Sequence, residues 1–369
     1  MILPLTLFVF LIAFSTAAYF VAAPAVFAYL LTLPKLGVNQ NHEVDKNTLY
    51  FIVFLTFVFF MSSILNGIGV EAIKVFLRYC FYGLIAYVFT SRMHVLVKNL
   101  DSIFVLMTVL PLLLIWLPQL YHYEYVTGDT RYQFIFSHPN HFAYYLCSVL
   151  LYFATSARTG HMSVRDYVFS ALVIFMLLIN KSSGGVLTAL VILAISNYRR
   201  ILDVRVVPFI FIGAILFLYF FNFDKVNNQI AFLADGDIRE LVEDGNLGGS
   251  GSLAWRLVYW YLIVSEFFYG SLSDILFGVG FGTMSLGNYP YFFMYTDPHN
   301  DFIRIFVENG IIGISFFLFV IYKLASSLPK NKLCFLAAFL LPMLYGNVVV
   351  NHAFMIVMLL VYARIRYTD

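Results

Sequence analysis

Long apolar runs separated by short polar breaks recur along nearly the whole chain. Read against those breaks, the pattern predicts helices near 2–17, 19–34, 48–69, 72–90, 103–120, 140–155, 166–181, 185–197, 206–222, 303–323, 333–348 and 350–363. Most of these runs lie near the ~20 residues that a helix rising ~1.5 Å per residue needs to cross the hydrocarbon core. The expectation is an all-α polytopic membrane protein with about twelve transmembrane helices. Residues 1–369 are expected to form a single integral membrane domain. The first run lacks a basic n-region and a small-residue cleavage site, so it is expected to persist as helix.

Composition strengthens this picture. The chain is 62% hydrophobic and 11% charged, well outside the usage of soluble domains. Its mean hydropathy is +0.86. Cys80, Cys147 and Cys334 all sit inside apolar runs, which predicts neither a disulfide framework nor a zinc cluster.

Charge placement then gives an orientation. The breaks at 35–47, 91–101, 156–165, 198–205 and 324–332, with the tail after 363, carry most of the Lys and Arg residues, among them Arg92, Lys98, Arg165, Lys330, Lys332 and Arg364. By the positive-inside rule these breaks and both termini are cytoplasmic. Half of the 20 acidic residues fall instead in 223–302, which is expected to form a long periplasmic loop between the ninth and tenth helices. Within it, "DGNLGGSGS" reads as a mobile stretch. "LAWRLVYWYLIVSEFFYG" reads as an interfacial helix. "DILFGVGFGTM" supplies glycines able to turn tightly beneath a bound group.

Two outer clusters carry candidate chemistry. In "DPHNDFIRIFVENG", His299 is either a loop-bonded histidine at the membrane lip or a general base for a hydroxyl proton. Asp297 and Asp301 either orient it or cap its helix, and Glu308 is placed about two turns below His299 on one helix. In "TGDTRYQFIFSHPNHF", Arg131 stands in a loop, His138 and Pro139 precede a helix, and Asn140 opens it. Pro139 fits ordinary helix initiation. Arg131, Arg256 and Arg304 each either snorkel to the interface or clamp a diphosphate through paired, charge-assisted hydrogen bonds. With Arg239 they are the only arginines on the outer side. Lys181, in "NKSSGG", either lines a site or sits in a plain helix-to-helix turn, and Asn347 and His352 bear the same two readings. There is no His-x-x-x-His pair and no Walker loop, so neither metal nor cofactor is expected.

The pairing of an arginine with "SHPNHFAYYL", followed by "WR", "FGVGFG" and "PHNDFIRIFVENGIIGISFFLF", resembles the O-antigen polymerase and O-antigen ligase superfamily over about residues 127–322. The resemblance implies a membrane glycosyltransferase of the C-type fold in the bacterial inner membrane. Its active site would be on the periplasmic face, partly built from the 223–302 loop. It implies His299 as base and Arg131 and Arg256 as contacts to the diphosphate of an undecaprenyl-diphosphate-linked oligosaccharide. It also implies inversion at the anomeric carbon, without metal or cofactor. A polymerase uses a second lipid-linked repeat unit as acceptor, and a ligase uses lipid A core. The polymerase is preferred because residues 223–246 are acidic where an anionic lipid A acceptor calls for a basic rim. A polysaccharide-lipid transporter is a lesser alternative; it predicts polar groups at the midplane, whereas these cluster on one face. Expected partners are the lipid-linked donor and acceptor, membrane lipids and a chain-length regulator, with no nucleic acid.

Overall fold

A computed structural model describes residues 70–117, 122–124, 130–136, 138–156, 162–197, 252–280, 282–284 and 298–368, together with Phe57. The helices expected at 2–17, 19–34, 48–69 and 206–222 lie outside the described residues, as does the stretch 223–251. Helix dominates what is described. The elements are α1 (Val70–Leu114), β1 (His122–Glu124), β2 (Thr130–Tyr132), α2 (Pro139–Ala154), α3 (Val164–Ile179), α4 (Ser183–Ser196), α5 (Ser252–Tyr269), α6 (Leu272–Phe277), α7 (Asp301–Ser326), α8 (Lys332–Tyr345) and α9 (His352–Thr368).

Most described helices follow the expected runs, but three stretches differ. The break expected at 91–101 does not exist, because α1, 45 residues long, runs straight through it. Arg92 and Lys98 bring charge to that stretch but neither glycine nor proline, and charge alone does not stop a helix. The hydroxyls of Thr90 and Ser91 return to the carbonyls of Ala86 and Val88 at 2.7 and 3.1 Å, so the helix absorbs its own polar groups. At ~1.5 Å per residue α1 is roughly 68 Å long, more than twice the ~30 Å hydrocarbon core. Likewise the tail after 363 is helix, and Arg364 within it is buried, donating to the Thr155 carbonyl at 2.6 Å and lying 5.2 Å from the Tyr152 ring. Finally, residues 122–132 contain a short antiparallel hairpin that pairs Tyr123 with Arg131.

The chain divides into two compact units. One comprises Met1–Phe54, Arg78–Ile201 and Phe319–Asp369, and the other Leu55–Leu77 and Leu202–Leu318. In the first, α2 is buried almost all round from Phe142 to Ala154 and α9 from His352 to Ile365. A helix apolar on every face belongs at the centre of a bundle. α2 packs against α3, α4, α8 and α9, and α4 packs against α8. The outward positions are apolar as well: Val164, Val168 and Phe175 on α3, and Leu187 and Leu190 on α4, are exposed. A helix in water carries charge on that face.

Two helices, Ala72–Leu114 and Asp301–Ser326, are long and apolar enough to cross a membrane, and their most apolar windows are 39% and 44% buried. Less than half of each window is buried, the rest being half-buried or exposed.

The second unit gathers α5, α6, the turn after α6 and the first part of α7 around one apolar cluster. Tyr259, Ile263 and Phe267 of α5, spaced four residues apart, pack with Met284 and Val307, and with Ile275, Val279, Ile303 and Phe306 around them. The opposite side of α5 exposes Leu257, Tyr261, Phe268 and Tyr269.

Candidate functional site

In the first unit the site is built around Arg131. The arginine lies on strand β2 rather than in a loop, as the hairpin ladder shows. Its Nε donates to the Asn180 carbonyl at 2.8 Å and its Nη2 donates to Asn140 Oδ1 at 3.0 Å. Two fixed acceptors on different elements set the plane of the guanidinium as well as its position. The local sequence explains both acceptors. His138 caps α2, its Nδ1 accepting from the Asn140 N–H at 3.1 Å, and Pro139 follows in the first turn. That cap turns Asn140 toward the arginine, so the three residues of "HPN" have distinct tasks: cap, initiator and acceptor.

Asn180 ends α3 at the tight turn into α4, where Ser182 accepts from the Gly185 N–H at 3.2 Å. Lys181, between them, is exposed and takes a left-handed φ of 54°. The Asn180 side chain is fully buried and donates to the carbonyls of Tyr132 and Pro139, the latter at 2.9 Å. The Tyr132 hydroxyl in turn donates to the Pro111 carbonyl. His352 is buried at the start of α9, with Nδ1 2.7 Å from the Tyr82 hydroxyl, and Asn347 is buried nearby in sequence.

In the second unit the site is built around His299. The histidine does not share a helix with Glu308. It stands in the turn before α7 with a left-handed φ of 50°. That conformation is uncommon for a residue other than glycine and needs neighbours that enforce it. Those neighbours are on both sides. Trp260 Nε1 donates to the Pro298 carbonyl at 2.6 Å, fixing the peptide immediately before His299. Asn300 Oδ1 accepts from the N–H groups of Phe302 and Ile303 at 3.0 and 3.2 Å, fixing the helix start immediately after it. Arg256 lies one turn before Trp260 on α5, so the two share a helix face. The indole that holds the His299 turn thus belongs to the face that carries Arg256.

Asp301 and Arg304 form an ion pair within the first turn of α7, and both are almost fully buried. Arg304 thus has a carboxylate one turn away, while Asp301 sits where a first-turn acid also meets the helix dipole. Asp297 lies outside the described residues.

Below that turn α7 is interrupted at Gly310, with φ 66° and ψ −172°. The interruption releases carbonyls from the helix ladder, and the glycine-rich turn takes them up. Val279 N–H donates to the Val307 carbonyl at 2.9 Å and Gly280 N–H to the Glu308 carbonyl at 3.3 Å. The Glu308 carboxylate, also buried, accepts from the Met284 N–H at 2.9 Å. The glycines of "FGVGFG" therefore make a backbone dock for α7.

Three residues central to these arrangements were not among the sequence candidates: Trp260, Asn180 and Asn300. A signal existed for two of them. Trp260 is four residues after Arg256 in a helical pattern, and an asparagine directly before the first turn of an apolar helix is a common cap. No protein-family model and no curated protein matches the chain.

Proposed function

We propose that this protein is a membrane glycosyltransferase that polymerises a bacterial surface polysaccharide from polyprenyl-diphosphate-linked repeat units. The reading places about twelve spans in the inner membrane, a C-type fold and a reacting centre on the periplasmic face. One observation carries it furthest. A histidine in an enforced left-handed turn is fastened through Trp260 to the helix face that carries Arg256. A base and a cation held on one rigid frame suit a reaction that removes a proton and releases an anion.

In that reaction a hydroxyl oxygen of the acceptor sugar attacks the anomeric carbon of the donor, and His299 takes the hydroxyl proton. The bond from the anomeric carbon to the diphosphate breaks, its electron pair leaves with the diphosphate, and the configuration inverts. Charge builds on the leaving group as the bond breaks, and fixed guanidinium donors favour that transition state over the ground state. Arg256 supplies one such donor. Arg131, in the first unit, is taken by itself: it is held at Nε and Nη2 by two protein acceptors and has the preorganised fork that a lysine in its place lacks, and the resemblance assigns it a diphosphate contact. Arg304 is assigned a supporting role, matching the charge of Asp301 beneath the His299 turn.

The test is transfer by the full-length protein in nanodiscs given only a lipid-diphosphate-linked repeat unit, with EDTA present. A ladder of longer lipid-linked products that is lost in His299→Ala supports the polymerase. Transfer only when lipid A core is added turns the reading to a ligase, and no transfer with either authentic acceptor removes the glycosyltransferase reading.

A further inference from the structure

The Arg131 frame has a keystone that the proposed reaction does not itself name. Three elements meet there: strand β2, the first turn of α2 and the turn between α3 and α4. Asn180 is bonded to all of them. Its carbonyl accepts Arg131 Nε at 2.8 Å, and its amide Nδ2 donates both to the Tyr132 carbonyl, next to Arg131 on β2, and to the Pro139 carbonyl, next to Asn140 on α2. The two residues whose backbones it grips are therefore the chain neighbours of the arginine and of its second acceptor. Its own side chain is fully buried, and among the described residues its Oδ1 has no hydrogen-bond partner. A buried amide retained at a packed junction with half its capacity unused is better explained by what its donors hold than by its contribution to packing.

We infer that Asn180 is a positioning residue that sets the direction of the Arg131 guanidinium through one carbonyl and two amide hydrogen bonds. The ligand class is the diphosphate of the lipid-linked donor, so this inference rests on the reading of Arg131 given above. Leucine is nearly the same size and can neither donate to the two carbonyls nor bring a charge beside the guanidinium. Alanine removes the side chain while keeping the carbonyl that Arg131 uses. Both substitutions let the arginine turn without touching its charge.

The experiment is a double-mutant cycle on the full chain in nanodiscs, with polyprenyl diphosphate as the probe and its Kd as the readout, and melting temperature measured alongside. Asn180→Ala is expected to weaken binding about tenfold in the otherwise unchanged protein and to have almost no further effect in an Arg131→Ala background, the non-additivity of residues acting through one another. Asn180→Leu, which keeps the volume without the donors, serves in the same way if the alanine variant does not fold. Equal weakening in both backgrounds, or a lowered melting temperature with unchanged Kd, overturns the inference and leaves Asn180 a packing residue. If Arg131→Ala itself leaves Kd unchanged, the diphosphate reading of Arg131 fails first, and the positioning role falls with it.

Discussion

Trp260 donates its indole N–H to the carbonyl of Pro298 at 2.6 Å, across 38 residues of chain. The bond ties an interfacial-type aromatic helix to the peptide that precedes His299. It makes the conformation of the histidine a property of two elements rather than of one turn. Trp260→Phe keeps the aromatic bulk and removes the donor. A hydrogen bond of this kind is worth about 0.5–1.5 kcal/mol net, so kcat for glycan transfer should fall up to about tenfold, with a melting temperature within a few degrees of the parent. A variant that transfers at the parental rate would show that the bond does not position the histidine.

Gly310 and Gly278 each press against the backbone of the other's segment. A Cβ on Gly310 would run into Leu276 and Phe277, and one on Gly278 into Glu308 and Asn309. Both residues also have positive φ, 66° and 84°. Gly310→Ala therefore combines a backbone strain of about 1–3 kcal/mol with a steric clash. It should lower the melting temperature more than Ala substitution at Gly270, where the nearest backbone atom is 3.1 Å from the added carbon. Thermal melts of the two alanine variants, followed by tryptophan fluorescence, give the ranking directly.

Glu308 holds the Met284 N–H with one carboxylate oxygen at 2.9 Å. Gln retains a carbonyl acceptor of the same length, whereas Ala strands a buried N–H at a cost of about 1–3 kcal/mol. The expected order of stability is parent, then Gln close behind, then Ala. If Gln abolishes transfer while the melting temperature holds, the negative charge of Glu308 is required by the chemistry and the docking role is insufficient.

The Arg304–Asp301 pair offers a sharp separation of roles. Both members are almost fully buried, and breaking a buried ion pair by removing one partner costs about 3–5 kcal/mol. Arg304→Met should destabilise strongly, and adding Asp301→Asn should recover part of that loss. A well-folded Arg304→Met with weakened polyprenyl diphosphate binding would instead place Arg304 on the ligand.

The sequence made some parts of this architecture legible and hid others. The helices expected at 140–155, 166–181, 185–197, 303–323, 333–348 and 350–363 each have a described counterpart, because apolar runs there end at residues that cap or turn: Ser163 and Ser182 accept backbone N–H groups at two of the starts. The charges of 91–101 suggest a solvent break, but a helix tolerates charge wherever it lacks glycine or proline, and α1 runs through the stretch. The hairpin at 122–132 was invisible because three-residue strands show no periodicity. At the candidate site the individual side chains were legible from their chemistry, yet their holders were not. Asn180 and Trp260 act at separations of 49 and 38 residues, and no local pattern encodes such a pairing.

The dock between the glycine turn and α7 has one more consequence. Met284 is fastened by Glu308, and Pro298 is fastened by Trp260. Each fastening joins groups far apart in the chain, 24 residues for Glu308 and Met284 and 38 for Trp260 and Pro298. Neither the glycine turn nor the histidine turn is therefore held by its own neighbours alone, and a substitution inside either turn leaves its distant fastening in place.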